Sequence, residues 1–294
     1  MTTAWLRGCI TALVTPFSSG EVDYEALRRH VDFQCREGIS AIVVCGSTGE
    51  SHSMTEKEQL KVLEAALSAS SGRAPVIMGT GAYDTRKAID NAKNAKSAGA
   101  QGQLVCTPFY VRPPQRGLLA HFYQILDATD LPAILYDIPQ RTGVSLDADT
   151  VAALSVHPNL AGIKEASPDI GAMLKLRAMC PELPVLSGDD KSVLPYISMG
   201  CTGLISVASN LYPKRMQEVC SLALQGDFTS AREKYAALEP FITALNCEVN
   251  PIPIKYALSL AGIMNPDMRL PLVMPDKKQK ETLAEAYEFQ KQFA

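Results

Sequence analysis

The sequence predicts an α/β fold: a closed (β/α)8 TIM barrel followed by a C-terminal helical extension. Eight short apolar runs, rich in Val, Ile and Leu and punctuated by Gly or Pro, recur along the first two-thirds of the 294 residues. Segments of helical periodicity lie between most of them, and no further strand pattern follows Tyr212. Strand–helix alternation specifies parallel βαβ units, and eight of them suggest closure into a barrel. The alternative is an open doubly wound sheet, which usually shows a G-x-G-x-x-G turn after its first strand. Here the first run ends in Thr15-Pro16-Phe17, Gly79-Thr80-Gly81 lacks the third glycine, and no Walker A pattern occurs.

The runs are Gly8–Val14, Ala41–Cys45, Pro75–Met78, Gln103–Cys106, Pro132–Tyr136, Leu160–Lys164, Pro184–Leu186 and Gly203–Val207. Each is too short for a helix and nearly continuous in apolar residues, as strands buried on both faces are. In Asp23–Gly38, Tyr24, Leu27, Val31 and Cys35 share one helical face. Leu60, Leu63 and Leu67 do the same in Thr55–Ser70, where Thr55-x-x-Glu58 makes a capping box. Ser167-Pro168 reads as an N-cap followed by proline at the first helical position. Beyond the barrel the helical segments are Phe228–Asn246, Ile252–Leu260 and Lys278–Phe293. The expected division is therefore a catalytic barrel over residues 1–225 and an extension over residues 226–294, packed on the barrel or on a partner.

Hydrophobic residues make up 47% and charged residues 20%, so a sizeable core is available. A net charge of −3, with no basic cluster interleaved with aromatics, argues against nucleic acid as a partner. No apolar run approaches a membrane span, and Met-Thr-Thr-Ala-Trp-Leu-Arg at the start has no leader pattern. The eight cysteines form no C-x-x-C pair and the four histidines lie far apart. These patterns predict a reduced, cytoplasmic protein without a structural metal.

Chemically useful residues gather just behind the apolar runs, the face on which barrel active sites lie. Lys164 closes the sixth run. It either snorkels to water or pairs with Glu165, or it is held buried, where its pKa falls and its neutral amine attacks carbonyl carbon. After the second run, Gly46-Ser47-Thr48-Gly49-Glu50 makes a βα turn or a cradle of N–H groups for a carboxylate. Tyr110 and Tyr136 stand behind the fourth and fifth runs, where packing competes with proton transfer as their role. Arg141 offers a fork for a carboxylate. In Ser187-Gly188-Asp189-Asp190 the aspartates read as helix caps. Taken together, an amine, hydroxyls, a glycine-rich cradle and one arginine meet the needs of keto-acid chemistry through a Schiff base.

On these residues the chain resembles the pyruvate-dependent Schiff-base aldolase superfamily, and within it most closely the dihydrodipicolinate synthase family. The likeness runs from G-x-x-T-A-L-V-T-P-F, ending at Phe17, through to Asn250-Pro251-Ile252-Pro253 and Arg269-Leu270-Pro271. It implies condensation of pyruvate with aspartate semialdehyde, without a cofactor, through an imine on Lys164. It further implies that Tyr136 assists proton transfer, linked through Thr48 to Tyr110, which reaches the neighbouring subunit's site. A homodimer is then the minimum unit and a homotetramer the usual one. Ser47 and Thr48 would hold pyruvate's carboxylate, and Arg141 that of the semialdehyde. Gly188 and Ile205 would line the pocket through their backbones. R-T-G at Arg141 favours the synthase over sialic acid lyases and other keto-acid lyases or hydratases of the superfamily. Ser47 stands where the family more often has threonine, which keeps the hydroxyl. Ser51–Glu56 and Tyr83–Lys87 lack the family's contacts for inhibitory lysine, and Lys87 adds a positive charge there. Weak or absent lysine inhibition is the expectation.

Overall fold

The computed structural model describes residues 4–293, so Met1–Thr3 at the start of the chain lie outside the described residues. The barrel strands are β1 Gly8–Ala12, β2 Ala41–Val44, β3 Val76–Gly79, β4 Gly102–Cys106, β5 Ala133–Asp137, β6 Leu160–Glu165, β7 Val185–Ser187 and β8 Gly203–Ser206. They pair in parallel in the closed order β1-β8-β7-β6-β5-β4-β3-β2. Each apolar run of the sequence yields one strand, with ends within two residues of those anticipated. A two-strand hairpin, Phe17–Ser18 against Glu21–Val22, sits outside the barrel.

The flanking helices are α1 Tyr24–Arg36, α2 Glu56–Ser70, α3 Thr85–Ser97, α4 Gln115–Ala128, α5 Ala148–Ser155, α6 Ile170–Met179, α7 Val193–Ser198 and α8 Pro213–Leu224. The capping box at the start of α2 forms in both directions between Thr55 and Glu58. One start differs from expectation. Ser167-Pro168 does not open α6; Asp169 caps it, accepting from the Ala172 N–H. The Ser167 N–H is already bound to the Glu165 carboxylate and its hydroxyl accepts from Asp169 N, so the segment is spent on a turn.

Strand alternation divides the apolar residues into two layers. Ile10, Val43, Ile77, Leu104, Ile134, Leu186 and Ile205 fill the barrel interior, joined by Leu6 from the preceding 3-10 turn. The opposite faces pack under the helices. The extension comprises α9 Phe228–Ala244, α10 Ile252–Leu260 and α11 Lys277–Gln290. Its apolar faces enter the core shared by α1, α2 and α8. Phe241 of α9 meets Tyr212 edge-on at 4.9 Å, and Arg215 of α8 donates to Gln290 Oε1 of α11 at 2.7 Å. That packing turns the segment between α9 and α10, with Asn250, over the C-terminal end of the barrel strands.

Candidate active site

In register across β5 and β6, Tyr136 pairs with Lys164. Both side chains point into the barrel mouth, where the Lys164 Nζ stands 4.2 Å from the centre of the Tyr136 ring. Lys164 is 5% exposed. It neither snorkels nor pairs with Glu165, because successive strand residues face opposite sides of the sheet. Burial pulls its pKa down to about 8; the Asp190 carboxylate opposes that shift and the Arg141 charge adds to it. Burial also pushes the Tyr136 phenol up, with Arg141 and Ser47 acting the other way. At neutral pH the pair is thus an amine within reach of deprotonation beside a phenol that keeps its proton.

A cleft of about 290 Å³ opens over this pair. Ser47, Thr48, Arg141, Lys164 and Gly188 all line it, as do Ser167, Asp189, Asp190 and Asn250. Gly188 is required by close approach: a Cβ there would fall 2.5 Å from Ala166 Cβ and 3.0 Å from the Glu165 carbonyl oxygen. Its N–H donates to that carbonyl at 2.7 Å, locking β7 to β6 beside the amine. Ile205 is placed differently from the others. It is fully buried in the interior layer below the cleft. A neighbouring cavity of about 650 Å³ shares Ser47, Tyr136 and Arg141 but not Lys164, and reaches His52, Glu56, Tyr83 and Lys87.

Two residues that sequence reading did not assign to the site organise the cleft. Asn250 Nδ2 donates to Thr48 Oγ1 at 2.9 Å, while the Asn250 carbonyl accepts from Arg141 Nη2 at 2.8 Å. Asn250 therefore ties the cradle to the arginine, and because Thr48 accepts there, its own O–H is free to donate. The motif Asn250-Pro251-Ile252-Pro253 was visible in the sequence, but nothing local said which loop it would meet. Asp190 is the second. It was read as a cap, yet its carboxylate accepts from Ser206 Oγ at 2.5 Å and from the N–H groups of Val207 and Ala208 at 3.0 Å. Its job is to hold the loop after β8, and the negative charge it leaves near Lys164 follows from that. Asp189 does cap, accepting from Lys191 N.

Tyr110 is not brought to this chain's cleft. It is 91% exposed, with a φ of 71°, in a turn fixed to the Arg141 loop by Arg112 Nε donating to the Gly143 carbonyl at 2.9 Å. Phe109 and Val111 beside it are exposed as well. Among the described residues no group of three or more His, Cys, Asp or Glu side chains is arranged to hold a metal. No described helix is long and apolar enough to cross a membrane.

A family model, the dihydrodipicolinate synthetase family, matches residues 5–290. The 4-hydroxy-tetrahydrodipicolinate synthase of Oleidesulfovibrio alaskensis is 41% identical over 276 residues, covering 93% of this chain and 94% of that one. The enzyme of the same name from Aquifex aeolicus is 41% identical over 281 residues, covering 95% and 96%. A crystal structure of dihydrodipicolinate synthase from Aquifex aeolicus superposes with a TM-score of 0.94 at 40% identity, over 96% of this chain and 97% of that one. With one family model spanning the barrel, the cleft and the extension, the chain belongs to the dihydrodipicolinate synthetase family.

Proposed function

We propose that this protein is a Schiff-base lyase that condenses pyruvate with L-aspartate-4-semialdehyde to 4-hydroxy-tetrahydrodipicolinate, on the route to lysine and diaminopimelate. The observation that carries the reading is the buried Lys164 amine, with a pKa near 8, set against a protonated Tyr136. With that pKa roughly a tenth of the amine is neutral at pH 7, against well under a thousandth for a free lysine. The neutral Nζ attacks the keto carbon of pyruvate, and the carbinolamine oxygen leaves as water once protonated; Tyr136 is placed to supply that proton. Loss of a methyl proton then gives the enamine, whose carbon adds to the aldehyde. Ser47 and Thr48 hold the keto acid's carboxylate, and Arg141 receives that of the semialdehyde.

Tyr110 belongs to the same reading from outside its own chain. Its exposure, beside Phe109 and Val111, fits a contact in which it completes the neighbouring subunit's proton relay through Thr48. We assign a homodimer as the working unit, with a homotetramer as its further assembly. No cofactor beyond the covalent imine enters the scheme, and eight unpaired thiols suit a cytoplasmic setting.

Incubation with pyruvate followed by borohydride reduction tests the assignment, with the adduct mapped by mass spectrometry. The expected result is one pyruvate-derived adduct on Lys164 and turnover with aspartate semialdehyde in preference to sugar aldehydes. No adduct, or an adduct elsewhere, overturns it. Inhibition by lysine is expected to be weak or absent. In the larger cavity Lys87 is ion-paired with Glu56, so that carboxylate is already engaged and is not free to receive an effector's amine. Turnover measured against rising lysine checks this; strong inhibition at micromolar lysine would contradict it.

A further inference from the structure

Behind the Tyr136–Lys164 pair lies a second pair that the scheme above does not use. Asp137 and Glu165 follow those residues on β5 and β6 and are likewise in register. Alternation sends them to the outer face of the barrel, under the helix layer, and both are buried. Among the described residues no lysine, arginine or histidine bonds to either carboxylate. Asp137 Oδ2 accepts from the Leu146 N–H at 3.1 Å, whereas its Oδ1 is buried without any partner. Glu165 Oε1 accepts from the Ser167 N–H. Those two anchors matter, because Leu146 closes the segment that starts after β5 and carries Arg141, and Ser167 lies in the cleft wall.

We propose that Asp137 and Glu165 act as a positioning pair that carries a single proton at neutral pH and, through Leu146 and Ser167, keeps the Arg141 loop and the opposite cleft wall in their working places. This rests on the function assigned above. Two unscreened carboxylates on adjacent strands cannot both ionise cheaply, so one of them stays neutral. Burial first and Glu165 second push Asp137 up to about 7, and burial raises Glu165 as well. The groups facing the pair do not supply compensating charge. Asp147 lies on the Asp137 side. Asp169 lies on the Glu165 side. Tyr196 of α7 and Cys201 sense the Glu165 charge, and both are themselves pushed up by burial. On that side the charge of Arg177 acts on Cys201. Loss of that proton places a second negative charge between the strands and the helices, and the relief available is outward movement of the two anchored loops. The semialdehyde site, which needs Arg141, then weakens, while imine formation on Lys164 is spared.

Infrared spectra of the resting enzyme read the proton directly. A protonated carboxyl band is expected below pH 7, lost with a midpoint near neutrality. It should be absent in Asp137→Asn and shifted to lower pH in Glu165→Gln, which removes the neighbouring charge. Steady-state kinetics give the functional arm. The KM for semialdehyde should rise through the same midpoint in the natural protein and stay flat in Asp137→Asn, with borohydride trapping of pyruvate equal in both. Retention of the band in Asp137→Asn, an unmoved midpoint in Glu165→Gln, or the same KM profile in both proteins overturns the proposal. Failure to trap pyruvate on Lys164 overturns the proposed function instead, and the infrared arm still decides the pair.

Discussion

Lys164 is costly to the fold for the same reason that it is reactive. Its pKa falls from 10.5 to about 8 on burial. A base with a depressed pKa in the folded state weakens folding below that value, and the penalty disappears as pH rises towards the unfolded pKa. A shift of this size corresponds to about 3 kcal/mol near neutrality. Methionine has nearly the same length and no charge to bury. Lys164→Met is therefore expected to abolish turnover and pyruvate trapping while raising the melting temperature at pH 7, with the gain shrinking above pH 9. Calorimetry at the two pH values checks this, and a less stable variant would show that the amine is not buried at such cost. At this scale the sequence pointed to Lys164, Tyr136, Ser47, Thr48 and Arg141, because each closes or closely follows an apolar run, whereas Gly188 was named only through the family resemblance. It did not expose Asn250 or Asp190 as organisers. Asn250 meets Thr48 across 202 residues of chain, and Asp190 serves a loop that follows the next strand.

Elements carry the next level of support. The βα loop holding Ser47 and Thr48 ends at Glu50, whose carboxylate meets Lys255 of α10 at 2.6 Å, both side chains being 0% exposed. The Lys255 Nζ also lies 4.4 Å from the centre of the Phe17 ring. Thr15 Oγ1 donates to the Gly49 carbonyl at 2.7 Å, so the loop is fastened from the first strand's end and from the extension. Removing one member of a buried ion pair leaves the other uncompensated, at a cost of about 3–5 kcal/mol, whereas removing both is often far less harmful. Lys255→Met should lower stability to urea by that order and raise the KM for pyruvate. Adding Glu50→Gln to it should recover most of the stability. A double variant as weak as the single one would mean the loop depends on Lys255 packing rather than on charge. Strand positions were legible because buried parallel strands need continuous apolar runs, and the Thr55 capping box was legible because its spacing is local. The start of α6 was misplaced because the Glu165 carboxylate, two residues upstream at the end of β6, takes the Ser167 N–H into a turn.

At the scale of the whole molecule, one chain leaves the proposed relay incomplete, with Thr48 in the cleft and Tyr110 projecting away on its own surface. A helix or strand pattern cannot show this, since an exposed tyrosine reads alike whether it meets water or a neighbour. The assignment of Tyr110 to a partner's site has a consequence for mixed assemblies. In a dimer of two Lys164→Ala chains both sites lack the nucleophile, and in a dimer of two Tyr110→Phe chains both lack the donated hydroxyl. A hybrid of the two has one site with neither group and one site with both, because the Tyr110→Phe chain keeps its lysine and borrows tyrosine from the Lys164→Ala chain. Unfolding and refolding the two variants together at equal concentration should yield about half hybrids. Activity should then approach a quarter of that of the natural protein, well above the mean of the two parents. Activity no higher than that mean, with hybrid formation verified by differently tagged chains, would place Tyr110's contribution within its own subunit or remove it from the relay.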